Sequence, residues 1–114
     1  MSDSTITLSG YRAMWLFAMF DLPVNSQAAR RRYTRFRKGL LADGFSMLQF
    51  SVYARYCPDE ESTKAFRRRI RAALPDAGQV RVLALTDRQY AKMEVYFGKK
   101  RQPVEDKPAQ LMLF

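Results

Sequence analysis

The first strong feature of the chain is a run with no polar residue, Met14-Trp15-Leu16-Phe17-Ala18-Met19-Phe20, closed by Asp21 and Pro23. It is too short for a buried helix and has no alternation, so it reads as a strand covered on both faces. Past Pro23, with Asn25 or Ser26 as cap, Ala29, Tyr33, Phe36 and Leu40 recur at helical spacing, and Asp43-Gly44 ends the element; a helix is expected over residues 26–42. From Phe45 the pattern changes to alternation. Phe45 and Met47 keep one phase, whereas Leu48, Phe50, Val52 and Ala54 keep the other. That switch predicts one strand with a bulge or bend between Met47 and Leu48.

Cys57-Pro58-Asp59-Glu60-Glu61 opens a second helix, with acidic residues where the helix dipole favours them. Phe66, Ile70, Ala73 and Leu74 form its apolar side, and Pro75 stops it. A third strand is expected from Val80 to Leu85, then a short connection Thr86-Asp87-Arg88-Gln89, then a fourth strand from Lys92 to Phe97. We read these as the ferredoxin-like α+β fold, βαββαβ, a four-stranded antiparallel sheet with two helices on one face. The expected organisation is an N-terminal extension over residues 1–12, the folded domain over 13–98, and a linker with a C-terminal extra strand over 99–114. A sheet with both helices on one side leaves its other side bare, yet the first strand is apolar on both. A second copy of the chain is the expected cover, so a homodimer follows.

Composition adds a partner. Twenty Lys and Arg against 11 Asp and Glu leave a net charge of +9 on 114 residues, and 14 of the 20 cations are Arg. Guanidinium binds phosphate bidentately, which points to nucleic acid. The cations fall on the two helices: Arg30, Arg31, Arg32, Arg35, Arg37 and Lys38 on the first, and Arg67, Arg68, Arg69 and Arg71 on the second. Of these, Arg30, Arg31, Arg35, Arg37, Lys38, Arg67, Arg68 and Arg71 are the candidate phosphate contacts. The strands lack the aromatic and basic pattern with which an RNP-type sheet stacks RNA bases. The longest apolar run is too short to span a bilayer, and no signal peptide opens the chain, so a cytoplasmic protein is expected.

Composition also restricts chemistry. There is no histidine, and the single Cys57 allows neither an internal disulfide nor a cysteine-based zinc cluster. Hydrolysis would fall to carboxylates holding Mg²⁺ or Mn²⁺. Asp21, at the exit of the apolar strand, is the first candidate, both as metal ligand and as catalytic residue; Asp87 is the second. A turn or capping role for Asp21 stands beside that reading. One carboxylate holds a divalent ion weakly, and a two-fold axis nearby would supply the second.

Taken together, Phe17-Ala18-Met19-Phe20-Asp21-Leu22-Pro23-Val24 resembles the first-strand motif of the CRISPR-associated protein two family. Gln49-Phe50-Ser51-Val52-Tyr53 resembles its second-strand motif, and Leu85-Thr86-Asp87-Arg88-Gln89 its third-strand exit. The resemblance covers roughly residues 13–98 and is nearest to the type II systems. It implies a ferredoxin-like homodimer that bridges two dimers of the integrase subunit during spacer acquisition and holds double-stranded prespacer DNA. It also implies a metal-dependent endonuclease activity on RNA or DNA, with Asp21 as Mg²⁺ ligand, that integration does not require. A free-standing endoribonuclease is the alternative.

At the C-terminus, Gln110-Leu111-Met112-Leu113-Phe114 is apolar after a charged stretch with two prolines. Leu111, Leu113 and Phe114 are expected to bind a partner, as a strand added to the sheet edge of the other protomer that also contributes to the integrase contact. The same five residues resemble the peptide by which bacterial proteins bind the replication sliding clamp, a competing reading.

Overall fold

The computed structural model describes residues 13–108. The N-terminal extension and the C-terminal segment with Leu111, Leu113 and Phe114 lie outside the described residues. The elements run β1 (Met14–Asp21), α1 (Gln27–Ala42), β2 (Ser46–Gln49), β3 (Val52–Cys57), α2 (Glu60–Ala72), β4 (Gln79–Thr86), α3 (Asp87–Ala91), β5 (Val95–Phe97) and β6 (Lys100–Gln102). Four strands form one antiparallel sheet in the order β2-β3-β1-β4, and β5 pairs with β6 alone. The first six elements give the βαββαβ order of the expected fold, although by different strands: the expected single strand over 45–54 supplies two, and Gln79–Thr86 is the fourth.

The apolar run occupies the centre of that sheet. It pairs with β3 on one side (Leu16 opposite Arg55, Phe17 opposite Ala54) and with β4 on the other (Leu16 opposite Ala84, Phe17 opposite Leu83). Its even residues Met14, Leu16, Ala18 and Phe20 join Phe36 and Leu40 of α1, Tyr53 of β3 and Ile70 of α2 in the main core. Phe20 meets Phe36 edge-on at 5.1 Å between ring centroids. Truncating such a buried ring costs about 3–5 kcal/mol.

Each helix begins on a side-chain cap. Ser26 accepts from the Ala29 amide at 3.0 Å, and Asp59 accepts from the Ser62 amide at 2.8 Å. Glu60 and Glu61 occupy the first turn of α2, and Arg69 and Arg71 its last, both favourable to the helix dipole. The second helix therefore starts at Glu60 rather than at Cys57, which is the last residue of β3. Burial pushes the Cys57 thiol above its ordinary pKa.

Two expected strands differ. The segment 45–54 is a hairpin, not one bent strand. The register does slip between Met47 and Gln49, as the phase switch required, but the chain then reverses at Phe50-Ser51. Ser51 takes a left-handed φ of 63°, a conformation that no glycine or asparagine announces here. The expected fourth strand over 92–97 is not in the main sheet: Lys92 caps α3, and Val95–Phe97 pairs with Lys100–Gln102, a stretch read as linker. Gly98, φ 64°, stands first in the two-residue turn between them, as a type II′ hairpin requires.

The second sheet face is only half bare. Trp15, Phe17 and Ala54 pack beneath Tyr90 of α3, with Met93 and Val104 alongside. The chain thus covers the Trp15 end of this face itself. The other end, around Met19, Val52 and Leu83, stays accessible, and Leu83 is 46% exposed.

Candidate functional site

Asp21 is the last residue of β1, opposite Gln79 at the start of β4, and its side chain is exposed. The approach of β4 depends on Gly78. Its φ is 92°, and a Cβ there would lie 2.6 Å from the Asp21 carbonyl oxygen. On the other flank the Phe20 amide donates to the Ser51 carbonyl at 3.0 Å, drawing the hairpin turn against the strand end. A shallow depression of about 240 Å³ results, bordered by Met19, Asp21, Phe50, Ser51, Gln79 and Arg81. Among the described residues the Asp21 carboxylate has no hydrogen bond or ion pair.

The other carboxylates are mostly engaged. Asp87, the second candidate, accepts from Trp15 Nε1 at 2.9 Å on one oxygen and from Lys107 Nζ at 2.9 Å on the other. It ties the C-terminal stretch to β1, and its contact raises the Lys107 pKa. Asp43 pairs with Arg69 at 3.0 Å, Asp59 caps α2, and Glu105 accepts from the Tyr90 hydroxyl at 3.1 Å. No cluster of three or more His, Cys, Asp or Glu side chains suited to a metal occurs among the described residues. At the exit of β1 a single protomer therefore offers one carboxylate, Asp21, too few oxygen ligands for a tightly held Mg²⁺.

The cations sort by what they touch. Arg30, Arg31, Arg35 and Lys38 recur at spacings of one to four residues on one exposed side of α1 and, with Gln27 and Thr34, line an open surface depression. Arg30 also donates to the Val24 carbonyl at 3.2 Å, which anchors its guanidinium at the helix start. Arg37 lies apart, half-buried, donating from Nε to the Tyr53 hydroxyl at 2.8 Å. That bond ties its guanidinium to β3, away from the exposed row of α1. On α2, Arg67 and Arg71 border a different groove with Ile70, Leu74 and Val80, and Arg68 is exposed. Arg55, on β3, is a structural cation: it donates to the Asp43 and Tyr56 carbonyls and stacks over Phe66 at 4.1 Å. Exposed cations that sequence reasoning passed over are Arg81, beside Asp21, and Lys99, Lys100 and Arg101 around the β5–β6 turn; three consecutive cations after Gly98 were the available signal.

This ferredoxin-like fold recurs in known proteins. A family profile described as CRISPR associated protein Cas2 matches residues 14–93. The chain belongs to the Cas2 family. A relative from Parvibaculum lavamentivorans, named CRISPR-associated endoribonuclease Cas2, is 50% identical over 101 residues, 89% of this chain and 100% of that one. A second with the same name, from Flavobacterium psychrophilum, is 46% identical over 104 residues, 90% of this chain and 89% of that one. A solved crystal structure of a Cas2 superimposes with a TM-score of 0.54 at 18% identity, covering 82% of this chain and 97% of its own, a likeness of fold. The family profile itself ends at residue 93, before the β5–β6 ribbon. No helix among the described residues is long and apolar enough to cross a membrane.

Proposed function

We propose that this Cas2-family chain is the nucleic-acid-holding subunit of CRISPR spacer acquisition: a homodimer that grips duplex prespacer DNA and bridges dimers of the integrase subunit. The observation that carries this reading is the exposed side of α1, where Arg30, Arg31, Arg35 and Lys38 stand together with no ion pair among the described residues. Four cations along one helix suit a row of phosphates and carry no base-reading geometry, as a subunit that must accept any sequence requires.

Dimerisation is supported by the accessible half of the second sheet face, where Met19 and Val52 line the same depression as Asp21 and exposed Leu83 lies farther along the face. A two-fold copy laid there would cover them and bring two Asp21 carboxylates together. That pair, and not one chain, fits Mg²⁺ or Mn²⁺, which would supply charge neutralisation at a phosphodiester and a more acidic water. Asp21 would hold the ion, and Arg81 would face the anionic substrate at the same depression.

A second reading, a free-standing metal-dependent endoribonuclease, is favoured by the unpartnered Asp21 carboxylate and by the name that the relatives carry. One experiment separates the two: titrate duplex DNA and single-stranded RNA against the wild type and Asp21→Asn, following binding and cleavage with Mg²⁺. Duplex binding that is intact in the variant supports the adaptor. Cleavage of RNA by the wild type, lost in Asp21→Asn and without duplex binding, supports the nuclease.

A further inference from the structure

The β5–β6 ribbon, Val95 to Gln102, has no part in the sheet, in the Asp21 site or in the basic side of α1. Its sequence, Val-Tyr-Phe-Gly-Lys-Lys-Arg-Gln, holds three cations and no acid. Phe97 is 71% exposed and Tyr96 is 53% exposed. In the antiparallel register Phe97 stands opposite Lys100, and Tyr96 opposite Arg101. Opposed residues point to the same side of a ribbon. Each side therefore presents one ring beside one cation, with Lys99 at the tip.

None of these three cations has an ion pair or a ring contact among the described residues, so their charge is uncompensated. The Tyr96 hydroxyl donates to Glu94 at 2.8 Å, which fixes that ring at the ribbon's base and leaves the Phe97 ring as the free apolar surface. An exposed flat ring flanked by unpaired cations is the combination by which proteins hold unpaired nucleotides: the ring stacks on a base and the cations meet the adjoining phosphates. A protein groove would be served by the ring but not by three adjacent cations, and a base-paired duplex would offer the ring no open base.

We infer that the ribbon is a second nucleic-acid contact, one that takes an unpaired single-stranded segment, with Phe97 stacking on a base and Lys99, Lys100 and Arg101 on phosphates. It acts independently of the duplex grip of α1 and is the element that distinguishes an open strand from a closed helix.

The test compares a blunt duplex with the same duplex carrying unpaired overhangs, with 2-aminopurine placed in one overhang, on the full chain. The expected result is that Phe97→Ala weakens overhang binding by about 5- to 150-fold, abolishes the fluorescence quench of 2-aminopurine, and leaves blunt-duplex affinity unchanged, while Phe97→Trp restores both. The triple change of Lys99, Lys100 and Arg101 to Ala should flatten the salt dependence on the overhang substrate only. Equal losses on both substrates, no loss on either, or a changed oligomeric mass in Phe97→Ala would overturn the inference, the last by making the ribbon a protein contact. Failure of the wild type on blunt duplex counts against the α1 reading alone, because the single-strand signals are read separately.

Discussion

The Trp15 indole lies flat against the Tyr90 ring, with centroids 3.9 Å apart and planes 9° from parallel. Trp15 is the only tryptophan of the chain, so this contact has its own spectroscopic reporter. Tyr90 also donates from its hydroxyl to Glu105, and Trp15 donates to Asp87, which Lys107 reaches from the far side. The pair therefore joins the central strand to the segment that covers it. Tyr90→Ala should cost about 3–5 kcal/mol and shift Trp15 emission to the red. An unshifted spectrum would mean that residues 103–107 stay in place without the ring.

The same tyrosine sets a pH limit. Burial and the adjacent Glu105 push its ionisation well above the usual phenol range. The folded state then keeps a proton that the unfolded chain loses above about pH 10. The stability from this group is complete below that pH and falls as pH rises through the folded value, by up to about 1.4 kcal/mol per unit. Urea midpoints of Tyr90→Phe should fall less steeply with alkaline pH than those of the wild type. Equal slopes would assign the loss to other groups, Cys57, Tyr96 and Lys107 being the ones that shift in the same direction.

The framework was legible because single segments announced it. The run Met14–Phe20 is apolar on both faces, and only a central strand needs that. The helices declared themselves by spacing and caps. The hairpin at Phe50-Ser51 was not legible, because its left-handed residue is a serine, and the phase switch it produces was absorbed by the neighbouring bulge. Asp21 stood out by position alone, and the structure adds that its carboxylate is unpartnered. The roles of Asp87 and Arg37 depend on Trp15, Lys107 and Tyr53, at sequence separations of 16 or more, which no local pattern encodes.

Assembly is tested at Leu83, which stands opposite Phe17 on the accessible end of the second face. The wild type should scatter light at micromolar concentration as twice the 13.3 kDa chain. Leu83→Lys should scatter as one chain with little loss of stability, since the side chain is already 46% exposed. A monomeric wild type, or a variant that stays dimeric, places the interface elsewhere or nowhere.

Chemistry is tested at Asp21. Cleavage of RNA or DNA should require Mg²⁺ or Mn²⁺ and fall in Asp21→Asn to the level seen with chelator, with stability within about 0.5 kcal/mol of the wild type. Cleavage that survives either treatment removes Asp21 from the reaction.

The most direct measurement is the salt dependence of duplex DNA binding for the wild type, for Arg31→Ala with Arg35→Ala, and for Arg37→Ala. If the exposed side of α1 holds phosphates, the double variant binds all duplexes more weakly whatever their sequence, and its logarithmic salt slope is shallower by about one for each guanidinium removed. Arg37→Ala, which gives up its bond to Tyr53 instead, lowers stability and keeps the wild-type slope. An unchanged slope in the double variant, or a weakening confined to particular sequences, would contradict the account.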